Sequence, residues 1–258
     1  MNDNKNHQAI DRLLHIMEEL REKCPWDRKQ TIESLRYLTI EETYELSDAI
    51  LDNDMDEIRK ELGDILLHVV FYAQIAKEKQ AFDFPDVINS LCEKLIKRHP
   101  HVFGEIKVND EEDVKVNWEK IKLSEGKKSV LGGVPQSLPA MVKAFRIQEK
   151  VHGVNFDWEK SSQVLDKVKE EISEFEEAAQ QNDPKKMEEE FGDVLFSMIN
   201  YARFLNINPE DALEKTNRKF IRRFQKMEEL ILEAGATLSE MNLAAMDVYW
   251  EQAKKEMQ

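Results

Sequence analysis

The chain carries one acidic pattern twice. Glu41-Glu42-x-x-Glu45 is followed by Glu61-x-x-Asp64, and the same letters return as Glu170-Glu171-x-x-Glu174 and Glu190-x-x-Asp193. Matched positions lie 129 residues apart, as 41 and 170 or 61 and 190 show. Because residues three or four apart share a helix face, each copy predicts two helices whose carboxylates face one another. Such a cluster suits hard divalent cations, so the pattern predicts a duplicated helical fold with two metal-binding sites.

The simplest interpretation of the acidic patterns is a solvated protein surface. The chain has 52 Asp and Glu among 258 residues, and acidic helix faces are common in such chains. However, the neighbouring residues match as well, since Asn53-Asp54 corresponds to Asn182-Asp183. Asp64 and Asp193 also lead directly into largely apolar runs, where a solvated acid is out of place. The repeat therefore favours carboxylates at the border of a core, where a metal or a partner charge is usual.

Composition limits the class of protein. A length of 258 residues fits two domains of ordinary size, and the formal net charge of −15 argues against general nucleic-acid or anionic-membrane binding. Cys24 and Cys92 are the only cysteines, which is too few for a disulfide framework. The N-terminus has no apolar core, and no apolar stretch is long enough to span a membrane. We therefore predict a cytoplasmic protein.

Helix-period patterns run along the whole chain, and no segment shows sustained alternation, so the predicted fold is all-α. Asp183 and Asn208 each precede a proline and are predicted helix N-caps. Two amphipathic stripes illustrate the pattern: Ile10, Leu13, Leu14, Met17 and Leu20, and Val164, Leu165, Val168, Ile172 and Phe175. Glycines and prolines concentrate between residues 126 and 139. We predict tandem duplicated helical bundles at 1–125 and 140–258, joined by a linker at 126–139.

Basic and aromatic residues are repeated too. Lys94-x-x-x-Arg98 corresponds to Lys219-x-x-x-Arg223, and Trp118-Glu119-x-x-Lys122 corresponds to Trp250-Glu251-x-x-Lys254. A Lys and an Arg four apart on a helix can hold phosphate oxygens, although a solvated basic stripe is the simpler interpretation of either pair alone. A lone tryptophan is more often part of a core than a base-stacking platform. Their position after the acidic pattern in both halves favours nucleotide contacts.

With these motifs the chain closely resembles the MazG family of nucleoside triphosphate pyrophosphohydrolases in its two-domain form. The family signature is EExxE followed by ExxD, and this chain has it twice. The resemblance extends from about Ile10 to Lys254 and includes Cys24-Pro25-Trp26-Asp27. It also includes the run from Gly153 to Trp158, which has Asn155 inserted relative to the family's usual Gly-Phe-Asp-Trp.

The resemblance implies an all-α pyrophosphatase fold, dependence on Mg²⁺ with Mn²⁺ as a possible substitute, and hydrolysis of NTP or dNTP to monophosphate and pyrophosphate. In the second half it implies the metal ligands Glu171, Glu174, Glu190 and Asp193, and the nucleotide contacts Lys219, Arg223, Trp250 and Lys254. In the first half the same mapping gives the metal ligands Glu42, Glu45, Glu61 and Asp64, and the nucleotide contacts Lys94, Arg98, Trp118 and Lys122. The resemblance also implies that the C-terminal half is the hydrolytic one.

Several alternatives stay open from the sequence. Glu170 is the candidate catalytic residue, and it could position or deprotonate the attacking water or merely satisfy a nearby cation. A narrower dUTP or dCTP pyrophosphatase would share the acidic pattern, and a non-catalytic, metal-stabilised nucleotide-sensing or dimerisation module would share the clusters. The duplication would let the two halves pack as a pseudo-dimer, but helical bundles of this size commonly pair by two-fold symmetry, so we predict a homodimer.

Overall fold

The chain separates into two compact units, Met1–Lys107 and Val108–Gln258. The predicted domain boundary after residue 125 lies outside the described residues. The computed structural model describes residues 2–108 and 129–257, together with residues 110, 113, 114, 117, 118 and 121. Within those residues the regular structure is helical and no strand occurs, so the all-α prediction is confirmed. No helix in this part of the chain has the length and apolarity that a membrane crossing requires.

The first unit is built on a helical hairpin. Its helices are α1 (Asn2–Lys23), α2 (Ile32–Asp52), α3 (Met55–Glu78), α4 (Phe84–Arg98) and α5 (Pro100–Phe103). Helices α2 and α3 pack against each other, and α1 and α4 pack on α3. The core contains Met17, Leu35, Val70, Phe71 and Ile75. The stripe predicted on α1 supplies part of this core through Met17, whereas Ile10, at the start of that stripe, is exposed.

The second unit repeats the hairpin. Its helices are α6 (Ala140–His152), α7 (Ser161–Gln181), α8 (Pro184–Phe204), α9 (Pro209–Glu233) and α10 (Leu243–Glu256). Helices α7 and α8 form the hairpin, α6 packs on α8 and α9, and α9 packs on α10 around a core that includes Met227 and Ile231. Val164 and Val168 of the predicted stripe are buried, while Ile172 is exposed.

Capping residues fix where the hairpin helices begin. The side chain of Asp54 accepts hydrogen bonds from the backbone N–H groups of Asp56 and Glu57 at the start of α3. Asp183 does the same for Lys185 and Lys186 at the start of α8. Asn208 likewise caps α9, so the two predicted N-caps before proline are confirmed.

An arginine stabilises a loop segment in each unit, after α1 in the first unit and after α6 in the second. Arg21 on α1 donates to Glu78 on α3 and to the carbonyl oxygen of Gln30, 3.2 Å away, beyond the Cys24-Pro25-Trp26-Asp27 run. In the second unit Arg203, on α8, donates to both carboxylate oxygens of Asp157 at 2.7 and 2.6 Å. Arg21 on α1 and Arg203 on α8 thus each make charge-assisted hydrogen bonds to the loop segment that contains or adjoins a family-like run.

Candidate active site

A tight turn sets the register of the hairpin in the first unit. Asn53 ends α2 in the left-handed conformation, with φ of 55° and ψ of 31°, and Asp54 immediately caps α3. Glu45 lies eight residues before Asn53, and Glu61 lies eight residues after it. Since each helical residue rises 1.5 Å, both side chains lie about 12 Å from the turn on facing helices. Glu42 and Asp64 are matched in the same way at eleven residues on either side.

The second unit uses the same construction. Asn182 ends α7 with φ of 53°, and Asp183 caps α8. Glu174 and Glu190 lie eight residues before and after Asn182. The identical spacing of the acidic pattern in the two halves is thus the spacing that brings carboxylates of two antiparallel helices to the same level.

Each hairpin brings three of the predicted metal ligands together. In the first unit these are Glu42, Glu45 and Glu61, the N-terminal cluster. In the second they are Glu171, Glu174 and Glu190, the C-terminal cluster. Within a cluster one carboxylate oxygen from each residue lies within 4.8 Å of the others. Asp64 and Asp193, predicted as fourth ligands, lie outside these groups, although the charge of Asp64 raises the pKa of both Glu42 and Glu61.

The clusters lie at the edge of the protein interior. Glu61 is 9% exposed, and its Oε2 atom is buried without a hydrogen-bond partner among the described residues. Glu171 is 7% exposed, whereas Glu45 and Glu174 are exposed. Each cluster therefore has one carboxylate in the interior and one that solvent reaches, which is an arrangement open to an entering cation.

Burial and mutual repulsion disfavour the ionised form of several of these carboxyl groups. In the N-terminal cluster, burial raises the pKa of Glu42 and of Glu61, and the charges of their neighbours raise both pKa values further. In the C-terminal cluster, burial followed by the charge of Glu171 raises the pKa of Glu174. Carboxylates crowded in this way gain when a positive ion binds between them.

The donor set fits a hard divalent cation. Both clusters consist of carboxylate oxygens with no histidine or cysteine among them, and Glu61 Oε2 is an acceptor for which the described part of the chain supplies no donor. Mg²⁺ and Mn²⁺ prefer such oxygen ligands. These residues could therefore hold the Mg²⁺ or Mn²⁺ that the family resemblance implies.

A lysine distinguishes the C-terminal cluster from the N-terminal one. Lys167 Nζ lies 2.8 Å from Glu170 Oε1 and 2.8 Å from Glu171 Oε1. These two contacts raise the pKa of Lys167 well above its ordinary value. The matching position of the first half is Leu38, which packs against the core. Lys167 is not among the residues predicted from the sequence, although its spacing of three and four residues from the two glutamates is a recognised signal for ion pairs.

Glu170, the candidate catalytic residue, is exposed and accepts the hydrogen bond from Lys167. Of the roles left open for Glu170, pairing with a nearby cation is the one for which the structure supplies a partner. A role toward the attacking water stays a prediction.

The basic and aromatic residues predicted for the second half lie on the last two helices. Lys219 and Arg223 are one turn apart on α9, and Arg223 is half-buried. Trp250 on α10 packs 5.2 Å from the ring of Phe220 and against the core that includes Met227. Lys254 donates to Glu251 at 2.7 Å. Trp250 therefore has a packing role, and its contact with a base stays a prediction.

The corresponding residues of the first half are divided between the two units. Lys94 and Arg98 lie on α4, where Lys94 is exposed and Arg98 half-buried. Trp118 is half-buried and belongs to the unit that begins at Val108. Lys122 lies outside the described residues. The nucleotide contacts predicted for the first half therefore stay a prediction.

A second difference between the halves lies one turn beyond the acidic pattern. His68 on α3 is 6% exposed, and its Nδ1 atom has no hydrogen-bond partner among the described residues. Burial lowers the pKa of His68, and the charge of Asp64 opposes this effect. The matching residue of the second half is Ser197, whose hydroxyl donates to the carbonyl oxygen of Val194 at 2.9 Å.

Comparison with known proteins identifies the family. The model of the MazG nucleotide pyrophosphohydrolase domain matches residues 30–103 and again residues 159–227. Both matches contain a complete acidic pattern and its hairpin. The chain belongs to the MazG family. The family resemblance, the tandem duplication and the enzyme class predicted from the sequence are thereby confirmed for this MazG protein.

Relatives of similar length support the assignment over nearly the whole chain. A nucleoside triphosphate pyrophosphohydrolase/pyrophosphatase MazG of Thermotoga maritima is 51% identical over 95% of this chain and 95% of its own. A nucleoside triphosphate pyrophosphohydrolase of Escherichia coli K12 is 44% identical over 96% and 97% respectively. The crystal structure of a mazG-related protein from Thermotoga maritima is 32% identical and covers 44% of this chain and 98% of its own, with a TM-score of 0.40. The family assignment rests on the sequence matches.

Proposed function

We propose that this MazG protein hydrolyses nucleoside triphosphates, NTP or dNTP, to nucleoside monophosphate and pyrophosphate in a reaction that requires Mg²⁺ or Mn²⁺. The observation that carries the proposal is the convergence of Glu171, Glu174 and Glu190 on two helices of one hairpin. Two relatives of similar length are named nucleoside triphosphate pyrophosphohydrolases. We place the activity in the cytoplasm, as a nucleotide-pool housekeeping or stress-regulatory function.

The chemistry of the substrate explains why a carboxylate cluster is needed. A triphosphate repels hydroxide, and divalent cations bound there would neutralise this charge and lower the pKa of an attacking water. Glu171, Glu174 and Glu190 would hold those cations, with Asp193, one turn further along α8, as the predicted fourth ligand. Glu170 faces Lys167, and on release from that contact it could orient the water that attacks the α-phosphorus.

The bond that breaks joins the α-phosphorus to the α–β bridging oxygen, and pyrophosphate leaves with that oxygen. Lys219 and Arg223 share one face of α9, where both can donate to phosphate oxygens. We assign them to the charge that develops on the leaving pyrophosphate. Lys254 and Trp250 would complete the nucleotide contacts from α10.

We assign hydrolysis to the C-terminal half. The physical reason is local charge, because anionic substrates are steered toward positive surroundings. Around the C-terminal cluster stand Lys167, Lys169, Lys185 and Lys186, where the first half has Leu38, Ile40, Asp56 and Glu57. Lys167 and Lys169 are both paired with acids of their own helix, so Lys185 and Lys186 account for most of the local difference.

The test is the identity of the products. Incubation of the protein with each common NTP and dNTP in Mg²⁺ should give monophosphate and pyrophosphate in equal amounts, resolved by ion-exchange chromatography. Strong selectivity for dUTP or dCTP would support the narrower pyrophosphatase. Release of orthophosphate and nucleoside diphosphate as primary products would contradict the proposal.

We propose that the protein is a homodimer. Three apolar residues on α3, Leu62, Leu66 and Val69, are exposed and share one helix face, since they are four and three residues apart. Their counterparts on α8, Phe191, Leu195 and Met198, are exposed as well. An apolar stripe repeated on both hairpins is typical of a surface that a partner covers.

Light scattering during gel filtration tests the dimer. The chain has a mass of 30.3 kDa, and we expect about twice that value for the wild type. Leu66→Glu combined with Leu195→Glu should shift the mass to that of one chain, because each change puts a charge into the stripe. Leu243→Glu, at an 81% exposed position away from the stripe, is the control. A wild-type mass of one chain would contradict the proposal.

A further inference from the structure

We propose that Lys167 competes with the divalent cation for the C-terminal cluster, so that the N-terminal cluster binds such a cation more tightly in the absence of nucleotide. The inference rests on the proposed function only in taking both clusters as divalent-cation sites. The repeated acidic pattern by itself would give the two halves equal affinities for the metal.

The contacts of Lys167 carry the first step. Its ammonium group lies 2.8 Å from Glu171 Oε1, and Glu171 supplies a carboxylate oxygen to the C-terminal cluster. The side chain of Glu171 is only 10% exposed and that of Lys167 only 35%, so solvent screens this ion pair less than a fully exposed pair. A cation that binds Glu171 must therefore displace the ammonium group or share the carboxylate with a like charge.

The N-terminal cluster lacks this competitor. Leu38 replaces the lysine and packs against the core. No described residue forms an ion pair with Glu42, Glu45 or Glu61. The Oε2 atom of Glu61, which belongs to the same cluster, is buried and has no hydrogen-bond partner among the described residues. A divalent cation there relieves repulsion among the carboxylates and supplies a partner to a buried acceptor, without breaking an existing ion pair.

The N-terminal cluster is thus favoured for binding of the metal cation alone, and the C-terminal cluster is favoured for approach of the triphosphate. One positive charge at position 167 disfavours a metal cation at the C-terminal cluster, while it favours the approach of an anionic triphosphate. We expect the C-terminal cluster to fill when the metal arrives with nucleotide, and the N-terminal cluster to fill at lower metal concentration without it.

Binding of Mn²⁺ alone to the full-length chain, followed by the EPR signal of free Mn²⁺, tests this order. In the double variant Glu61→Gln, Asp64→Asn only the C-terminal cluster is intact, so Mn²⁺ binding measures its affinity. In Glu190→Gln, Asp193→Asn only the N-terminal cluster is intact. We expect the N-terminal cluster to bind about tenfold more tightly, which corresponds to about 1.4 kcal/mol.

Variants at position 167 test the cause. On the Glu61→Gln, Asp64→Asn background, Lys167→Met should tighten Mn²⁺ binding about tenfold, because methionine keeps the apolar stem and removes the ammonium group. Lys169→Met is the matched control, since it removes the same charge from the same helix but from a lysine paired with Asp166. Circular dichroism establishes that each variant is folded.

The reverse change gives an independent check. On the Glu190→Gln, Asp193→Asn background, Leu38→Lys should weaken Mn²⁺ binding about tenfold, with Leu38→Met as the control for altered packing. Equal affinities of the two clusters, or the same effect from Lys167→Met and Lys169→Met, would overturn the role of Lys167 while leaving the proposed function intact. Absence of Mn²⁺ binding in the wild-type chain would instead overturn the metal sites on which the proposed function depends.

Discussion

Glu190→Gln combined with Asp193→Asn will lower kcat/KM for nucleoside triphosphates by about 100-fold or more at saturating Mg²⁺. Glu190 contributes to the C-terminal cluster, and Asp193 lies one turn further along the same helix. The equivalent pair in the first half, Glu61→Gln with Asp64→Asn, should retain a substantial fraction of the activity. The physical reason is that the half with more basic surroundings attracts the triphosphate more readily.

Steady-state release of pyrophosphate from several dNTPs measures both double variants. Glu176→Gln with Glu188→Gln serves as the control, since it removes two exposed carboxylates from the same two helices without touching the cluster. Equal losses in the two double variants would mean that both halves hydrolyse nucleotide. Loss only in the first-half variant would show that the N-terminal half is the hydrolytic one.

Removal of divalent cations with excess EDTA should abolish hydrolysis and lower the melting temperature. A ligand that binds only the folded state stabilises it by about 2.7 kcal/mol at a hundredfold excess over Kd, which for a unit of this size is a rise of several degrees. Scanning calorimetry with and without Mg²⁺ measures the shift. Full activity in EDTA, or identical melting temperatures, would contradict the prediction.

The pH dependence of stability in EDTA reports the same repulsion between carboxylates. The pKa values of Glu42, Glu61 and Glu174 are raised above the ordinary 4.5. The folded state therefore holds protons that the unfolded state has already released, so these groups lower the stability as the pH rises from 4.5 through their folded pKa values. Replacing Glu61 with glutamine should weaken this dependence, and saturating Mg²⁺ should reduce it further.

Much of the fold follows from spacing in the sequence. Glu45 and Glu61 are equidistant from Asn53, as Glu174 and Glu190 are from Asn182, and antiparallel helices must bring equidistant residues to one level. Asp183 and Asn208 before proline mark helix starts because their side chains satisfy free N–H groups. Helix geometry and capping act between neighbouring residues, so they do not depend on the rest of the protein.

The sequence by itself determined the all-α hairpins, their duplication and the convergence of their glutamates, because helix periodicity and turn chemistry act over a few neighbouring residues. Only the tertiary structure decided which acids are buried, that Glu61 Oε2 has no hydrogen-bond partner within the described ranges, and that Trp250 packs on Phe220. It also decided that Lys167 forms ion pairs with Glu170 and Glu171, because a lysine side chain can reach several neighbouring acids and its packing selects among them. Burial and the strength of ion pairs depend on how helices distant in sequence exclude solvent. The two sites therefore differ in burial and in ion pairing although their glutamates are spaced identically.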